Sequence, residues 1–190
     1  MQKEHIMNLS GKLLIAMPGM GDPRFHHSVI FLCAHSEEGA MGLIVNKSAE
    51  DLKFGQLLDQ LNINRSDRTQ DIRVHFGGPV EHTRGFVLHS ADYRGEGATL
   101  RVDDRFAMTA TVDVLQALAD GEGPQQSILA LGYAGWGPQQ LEREIGENGW
   151  LTCDASEHLV FQLGNAAKWE AALQSIGVNP LSLSAKAGRA

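Results

Sequence analysis

Apolar residues come in short runs along the first third of the chain. Residues 13–17 form one such run, closed by Pro18 and Gly19, which predicts a short strand. Asp22 and Pro23 mark a turn in the loop over residues 20–25. Residues 29–35 and 40–45 are apolar at successive positions, the pattern of central strands covered on both faces. Between them Ser36-Glu37-Glu38-Gly39 predicts a hairpin loop, with Gly39 free to take a positive φ. Phe54, Leu57, Leu58 and Leu61 share one helical stripe, and a polar loop follows over residues 62–71. Extended structure resumes at residues 73–76 and breaks at Gly77-Gly78-Pro79. It returns at residues 85–89 and 99–102, joined by a polar loop over 91–98.

Helical patterns enter in the second half. Thr111 is placed to cap a helix carrying Val114, Leu115 and Leu118, with Gly121 just beyond its end. Residues 127–131 read as a strand, 132–137 as a glycine-rich turn, and Pro138 as the first position of a helix that buries Leu141 and Ile145. Residues 159–163 read as a late strand. Asn165 then opens a helix with Trp169, Ala172, Leu173 and Ile176, stopped by Gly177 and Pro180. Strands outnumber helices and the strongest two form a hairpin, so the pattern predicts an α+β fold with a largely antiparallel sheet. The expected organisation is a single domain over residues 1–190, with frayed ends at 1–8 and 182–190.

Composition narrows the function classes. A chain of 190 residues buries roughly 70% of its unfolded surface and needs neither disulfide nor metal to fold. The formal charge of −7 opposes direct nucleic-acid binding, and no run of Lys and Arg offsets it. Apolar runs fall far short of a membrane span, and the first ten residues lack a secretion-signal pattern. Cys33 and Cys153 read as reduced thiols, which fits a cytoplasmic location.

Two constellations carry chemistry. The strand, glycine turn and helix around Gly132, Tyr133, Gly135, Trp136 and Gly137 are expected to present free N–H groups to a phosphate or carboxylate. The spacing is G-x-x-G-x-G and no cation lies inside it, so a turn that lets strand and helix pack closely is the plainer reading. Trp136 suits either a stacking surface or a core plug. Gln140 fits the third helical position, and Glu142 and Glu144 complement the helix dipole. The second constellation is Cys33 with His35, two apart on one strand and hence on one face, the pairing that activates a thiolate or supplies two metal ligands. Against it, Cys33 lies in an apolar run where cysteine acts as a small hydrophobe. His26 and His27 would diverge along an extended chain. His75, His82 and His89 meet only if the fold gathers them, and no zinc spacing or G-x-S-x-G context occurs. No catalytic residues, metal or cofactor are assigned.

Several ordered motifs resemble the YqgE/AlgH family of bacterial proteins. They are Leu13-Leu14-Ile15-Ala16-Met17-Pro18, Asp22-Pro23 with Phe25, Ser28-Val29-Ile30, and Gly39-Ala40-Met41-Gly42-Leu43-Ile44-Val45-Asn46-Lys47. Gly77-Gly78-Pro79-Val80, Arg84-Gly85-Phe86-Val87-Leu88-His89 and Gly132-Tyr133-Ala134-Gly135-Trp136-Gly137-Pro138 continue the match, which runs through Gln140-Leu141-Glu142 to Trp150. The resemblance implies a barrel-like sheet with flanking helices and no established activity, some members being described as transcriptional regulators. Gln139 departs from it, standing where the family usually continues Gly-Pro-Gly-Gln. The expectation is a non-enzymatic regulatory or binding protein acting through a small anionic ligand or a protein partner. The rival is an enzyme built on Cys33 and His35 or a histidine group.

Overall fold

The computed structural model describes residues 8–95 and 99–187, the last four by backbone alone. Nine strands make one sheet: β1 (Lys12–Ala16), β2 (Val29–Ser36), β3 (Gly39–Ile44), β4 (Val74–Phe76), β5 (Val80–Ser90), β6 (Thr99–Arg101), β7 (Phe106–Thr109), β8 (Ser127–Trp136) and β9 (Trp150–Asp154). Helices are α1 (Phe54–Gln60), α2 (Val112–Ala119), α3 (Gln140–Gly146), α4 (Asn165–Ser175) and α5 (Pro180–Ala187). The order β6-β7-β5-β8-β3-β2-β1-β9 is antiparallel throughout, and β4 alone joins in parallel, along the first half of β8. The sheet curls into a half-barrel with helices around it, the α+β architecture that the pattern and the resemblance imply.

Curling gives β1, most of β2 and the second half of β5 two covered faces. The concave face gathers Leu13, Val29, Phe31, Leu43, Phe86 and Phe106, and α4 lays Trp169, Ala172 and Leu173 across part of it. On the convex side, Leu14, Ile30, Leu32 and Trp150 pack with Leu141 of α3. Val74, Val87 and Leu129 pack with α1 and α2 through Phe54, Leu58, Val114 and Leu118. This is why residues 29–35 and 40–45 show no polar alternation.

Four segments differ from the sequence reading. Residues 132–137 are not a turn: β8 runs unbroken to Trp136. Gly132, together with Gly77 and Gly78, serves a chain crossing. β8 pairs with β4 along residues 129–131 and with β3 along 134–136, so the link from β4 to β5 passes between β3 and β8. There Gly77 N–H donates to Leu131 O and Gly77 O accepts from Ile44 N–H. Second, Pro138 does not open a helix; α3 begins at Gln140, after Gln139 turns left-handed at φ 62. Glycine holds that conformation with the least strain, and Gln139 sits before the helix rather than inside it as a helix opening at Pro138 would place it. Gln139→Gly is therefore expected to stabilise the protein by about 0.5–1 kcal/mol in urea unfolding, relieved strain outweighing the extra freedom of the unfolded chain.

Third, residues 159–163 are not a strand. His158–Gln162 is one π-helical turn, and β9 precedes it. A short apolar run carries no sign of which it will be. Side chains from elsewhere cap its loose carbonyls: Arg73 donates to Phe161 O at 2.8 Å and Leu163 O at 3.1 Å, and Lys168 to Val160 O at 2.8 Å. Fourth, His26 and His27 do not diverge. Their rings stack at 4.1 Å, and His27 stacks in turn on Trp169, because the chain passes through a short 3-10 turn and a positive φ at His27. The expected frayed ends lie partly outside the described residues; from Pro180 to Ala187 the backbone is helical.

Candidate functional site

A groove of about 940 Å³ opens on the part of the concave face that α4 leaves uncovered. Its floor comes from Cys33 of β2, Met41 of β3, Phe86 of β5 and Tyr133 of β8, with Val102 just after β6. Phe86 and Tyr133 meet edge to face at 5.8 Å, so the floor is aromatic at its middle. Arg84 and Arg101 stand at the rim, from β5 and β6. Each side chain is about half exposed, and each has one carboxylate at 3.4 Å, Glu81 and Asp104 respectively, both well solvated. Such pairs contribute little and are readily exchanged for another anion. The Arg84 guanidinium also lies over the Phe86 ring, 5.1 Å from its centre.

The two constellations singled out in the sequence both reach this groove, in altered form. Tyr133, Gly135 and Trp136 line it, as do Cys33 and His35. Gly132 does not. It is buried at φ 76, and a Cβ there would stand 2.4 Å from Gly78 O. Gly135 is exposed on the wall, and a Cβ there would meet nothing nearer than the Tyr133 ring at 3.4 Å. Its conformation does not demand glycine either, so what its missing side chain leaves is room in the groove. Gly137 lies past the strand and donates its N–H to Gln140 Oε1 at 3.0 Å, across the turn that leads into α3. With only seven residues, α3 offers little dipole to an anion at its start.

Trp136 is a core plug. Its indole meets that of Trp150 edge to face at 6.0 Å, and both ring N–H groups donate to Glu144 Oε1, at 3.3 and 3.2 Å. Glu144 is thus the anchor of two buried indoles rather than a dipole complement.

Cys33 and His35 do not form a couple. The register of β2 against β3 slips between Leu32 and Ala34, which breaks the alternation that would set them on one face. Cys33 belongs to the concave cluster, its Sγ nearest Phe31 O at 3.9 Å, and burial pushes its thiol up to about 12. A thiol so placed is a poor nucleophile. His35 has both ring nitrogens engaged. Leu9 N–H donates to Nδ1 at 3.0 Å, so Nε2 carries the hydrogen and donates to Glu142 of α3. Burial works against the Glu142 carboxylate, but the bond from His35 holds it below the usual range. The imidazole therefore pins the segment at Leu9 and α3 to the strand between them. It is a brace.

His89 and His75 lie apart from the groove and from each other. His89 is fully buried away from the groove, donating from Nδ1 to Ser90 O at 2.7 Å and meeting Thr109 Oγ1 at 2.8 Å; burial lowers its pKa. His75 is buried at the β4–α4 contact, 3.1 Å from Asn165 Oδ1, and burial lowers it to about 4. Among the described residues no three His, Cys, Asp or Glu side chains gather as metal ligands. The groove's own cations escaped the sequence reading because Arg84 and Arg101 are not a run; two strands far apart in sequence bring them to one rim. No described helix is long and apolar enough to cross a membrane.

The AlgH-like family profile matches residues 13–181. A UPF0301 protein of Ruegeria pomeroyi is 59% identical over 185 residues, covering 97% of this chain and all of that protein. One from Cereibacter sphaeroides is 57% identical over 184 residues, again covering 97% of this chain and all of the relative. The solution structure of the AlgH protein from Pseudomonas aeruginosa superposes with a TM-score of 0.78 at 41% identity, over 100% of both chains. A crystal structure from Corynebacterium diphtheriae shares the fold at 22% identity, with a TM-score of 0.68 over 92% of this chain and 89% of that one.

Proposed function

The chain belongs to the AlgH-like family, and from the shape and charge of its groove we propose that it is a non-enzymatic binding protein for a small anionic ligand with an apolar body. One observation carries the reading: two weakly paired guanidiniums, Arg84 and Arg101, overhang an aromatic floor beside a glycine, Gly135, that the backbone does not require. The guanidiniums supply forked donors for a carboxylate or phosphate, and Phe86, Met41 and Tyr133 supply the apolar surface that holds the rest of the molecule. Engaged nitrogens at His35 and the raised thiol of Cys33 favour binding over covalent chemistry. The net charge of −7 opposes contact with nucleic acid, so any regulatory role runs through the ligand and a protein partner.

A thermal-shift screen against nucleotides, phosphorylated metabolites and aromatic carboxylates tests the proposal. A ligand at 100 times its Kd stabilises the native state by about 2.7 kcal/mol, several degrees for a chain of this size. At least one anion is expected to raise the melting temperature. The shift should vanish in the double variant Arg84→Gln, Arg101→Gln, and shrink in Gly135→Val while the unliganded melting temperature stays put. A screen in which no anion shifts the protein, or in which the shift survives loss of both arginines, sinks the proposal.

A further inference from the structure

The charged residues that line the groove are sorted to its two ends. Arg84 and Arg101 stand on β5 and β6, and among the described residues no other Lys or Arg lines it. At the opposite end the hairpin between β2 and β3 contributes Glu38, exposed, with its backbone N–H donated to Ser36 Oγ at 3.1 Å. β8 separates the two ends, since it pairs with β5 on one side and with β3 on the other. Arg84 falls in the bulge of β5 that faces residues 131–133 of β8. Ala40 pairs with Trp136, which puts the hairpin beyond the last residue of β8. Two strand spacings across and about five residues along set the two ends on the order of 15–20 Å apart.

The acidic end is rich in acceptors. Ser36 belongs to it, and Leu9, whose N–H donates to His35 of β2, brings Asn8 and Ser10 alongside. Their hydroxyl and amide oxygens join the Glu38 carboxylate. Glu142 stands behind them: burial works against its carboxylate, but the bond from His35 holds its pKa below the usual range. An ammonium, with three donors and no acceptor, matches that set, as a carboxylate matches the forked guanidiniums at the other end. A compact anion would fill the arginine end alone and leave the acceptors to water.

Building on the anion site described above, we propose that the groove takes an elongated zwitterion in the form of a short linear peptide with free ends. Its carboxylate lies at Arg84 and Arg101, and its ammonium at Glu38. An extended chain covers about 3.4 Å per residue, so about four residues bridge the ends, the arms of Arg84 and Glu38 closing the remainder. Phe86, Met41 and Tyr133 receive an apolar side chain on the way. Gly135 leaves room for it on the wall, where a Cβ would meet nothing nearer than the Tyr133 ring at 3.4 Å.

Calorimetric titration of the intact chain with the tetrapeptide Ala-Phe-Ala-Ala, unblocked, N-acetylated or C-amidated, is the test. The unblocked peptide is expected to bind at least tenfold more tightly than either blocked form. Glu38→Gln, at an exposed hairpin position, should leave the melting temperature unchanged and weaken the unblocked peptide to the level of the N-acetylated one, whose own binding stays the same. Glu38→Lys should invert the preference toward the N-succinylated peptide, which carries a carboxylate at that end. Equal binding of the unblocked and N-acetylated forms overturns the ammonium site and leaves the anion site standing, as does an unblocked peptide that binds Glu38→Gln as tightly as the parent. A C-amidated peptide equal to the unblocked one overturns the placement of the carboxylate. Failure of the anion site itself reads differently: neither the N-acetylated peptide nor any anion of the thermal-shift screen would bind, and both proposals would fall.

Discussion

Gly132→Ala is expected to destabilise the protein by about 3 kcal/mol, combining the strain of a left-handed alanine with overpacking of a backbone crossing. Gly132 has φ 76, and its missing Cβ would stand 2.4 Å from Gly78 O and 3.0 Å from both Val80 O and the His82 Cα. The crowding is mutual: a Cβ on Gly77 would come 2.3 Å from Gly132 O, and one on Gly78 would come 2.1 Å from the Tyr133 carbonyl carbon. No side chain is available to move aside, because the atoms met are main-chain atoms held in the sheet. The control lies three residues on. Gly135→Ala meets only the Tyr133 ring at 3.4 Å and is expected to stay within about 0.5 kcal/mol of the parent. Urea unfolding of the two variants separates the glycine that shapes the fold from the glycine that opens the groove. Equal stability of Gly132→Ala and the parent would remove the crossing as the reason for the motif.

Much of this was legible where one physical cause dominates. Residues 29–35 and 40–45 announce central strands because both faces of the curled sheet are covered, and Phe54 and Leu58 announce α1 because one stripe alone is buried. The glycine motif at 132–137 was visible but misread, since a chain crossing and a tight turn ask for the same residue. The strands at 106–109 and 150–154 were not read at all, being short and held by neighbours distant in sequence: β7 by β5, β9 by β1. The same limit applies to the site. Cys33 and His35 share a face only if β2 is regular, and the slip after Leu32 leaves no mark in the sequence. Arg84 and Arg101 become one feature only once β5 and β6 are set about a common groove. Charges that act together need not be neighbours in the chain, and nothing in composition reports that they are neighbours in space.

Lys168→Met is expected to change how stability depends on pH. Lys168 is fully buried, yet its Nζ donates to Val45 O at 2.6 Å and Val160 O at 2.8 Å, tying the end of β3 to the π-helical turn and α4. Burial, with the positive charge of Arg73, pushes its pKa down to about 7, whereas an unfolded lysine titrates near 10.4. The folded pKa is lowered, so the cost of the buried ammonium is fully present below about pH 7. Above that the unfolded chain holds a proton that the folded chain has released, and stability rises with pH toward 10.4. Cys33 opposes the trend above the ordinary thiol range of about 8.5, because its buried thiol stays protonated while the unfolded one ionises. The clean window is therefore about pH 7 to 8.5. There the parent should gain stability as pH rises, and Lys168→Met, with no amine to titrate, should not. The variant also leaves Val45 O and Val160 O without a donor, at about 1–3 kcal/mol each, so its deficit relative to the parent widens as pH rises. Urea unfolding across the window reads both effects at once. Parallel stability profiles for parent and variant would mean that the two carbonyls hold the proton on Lys168 against burial, and that the knot is a permanent cation.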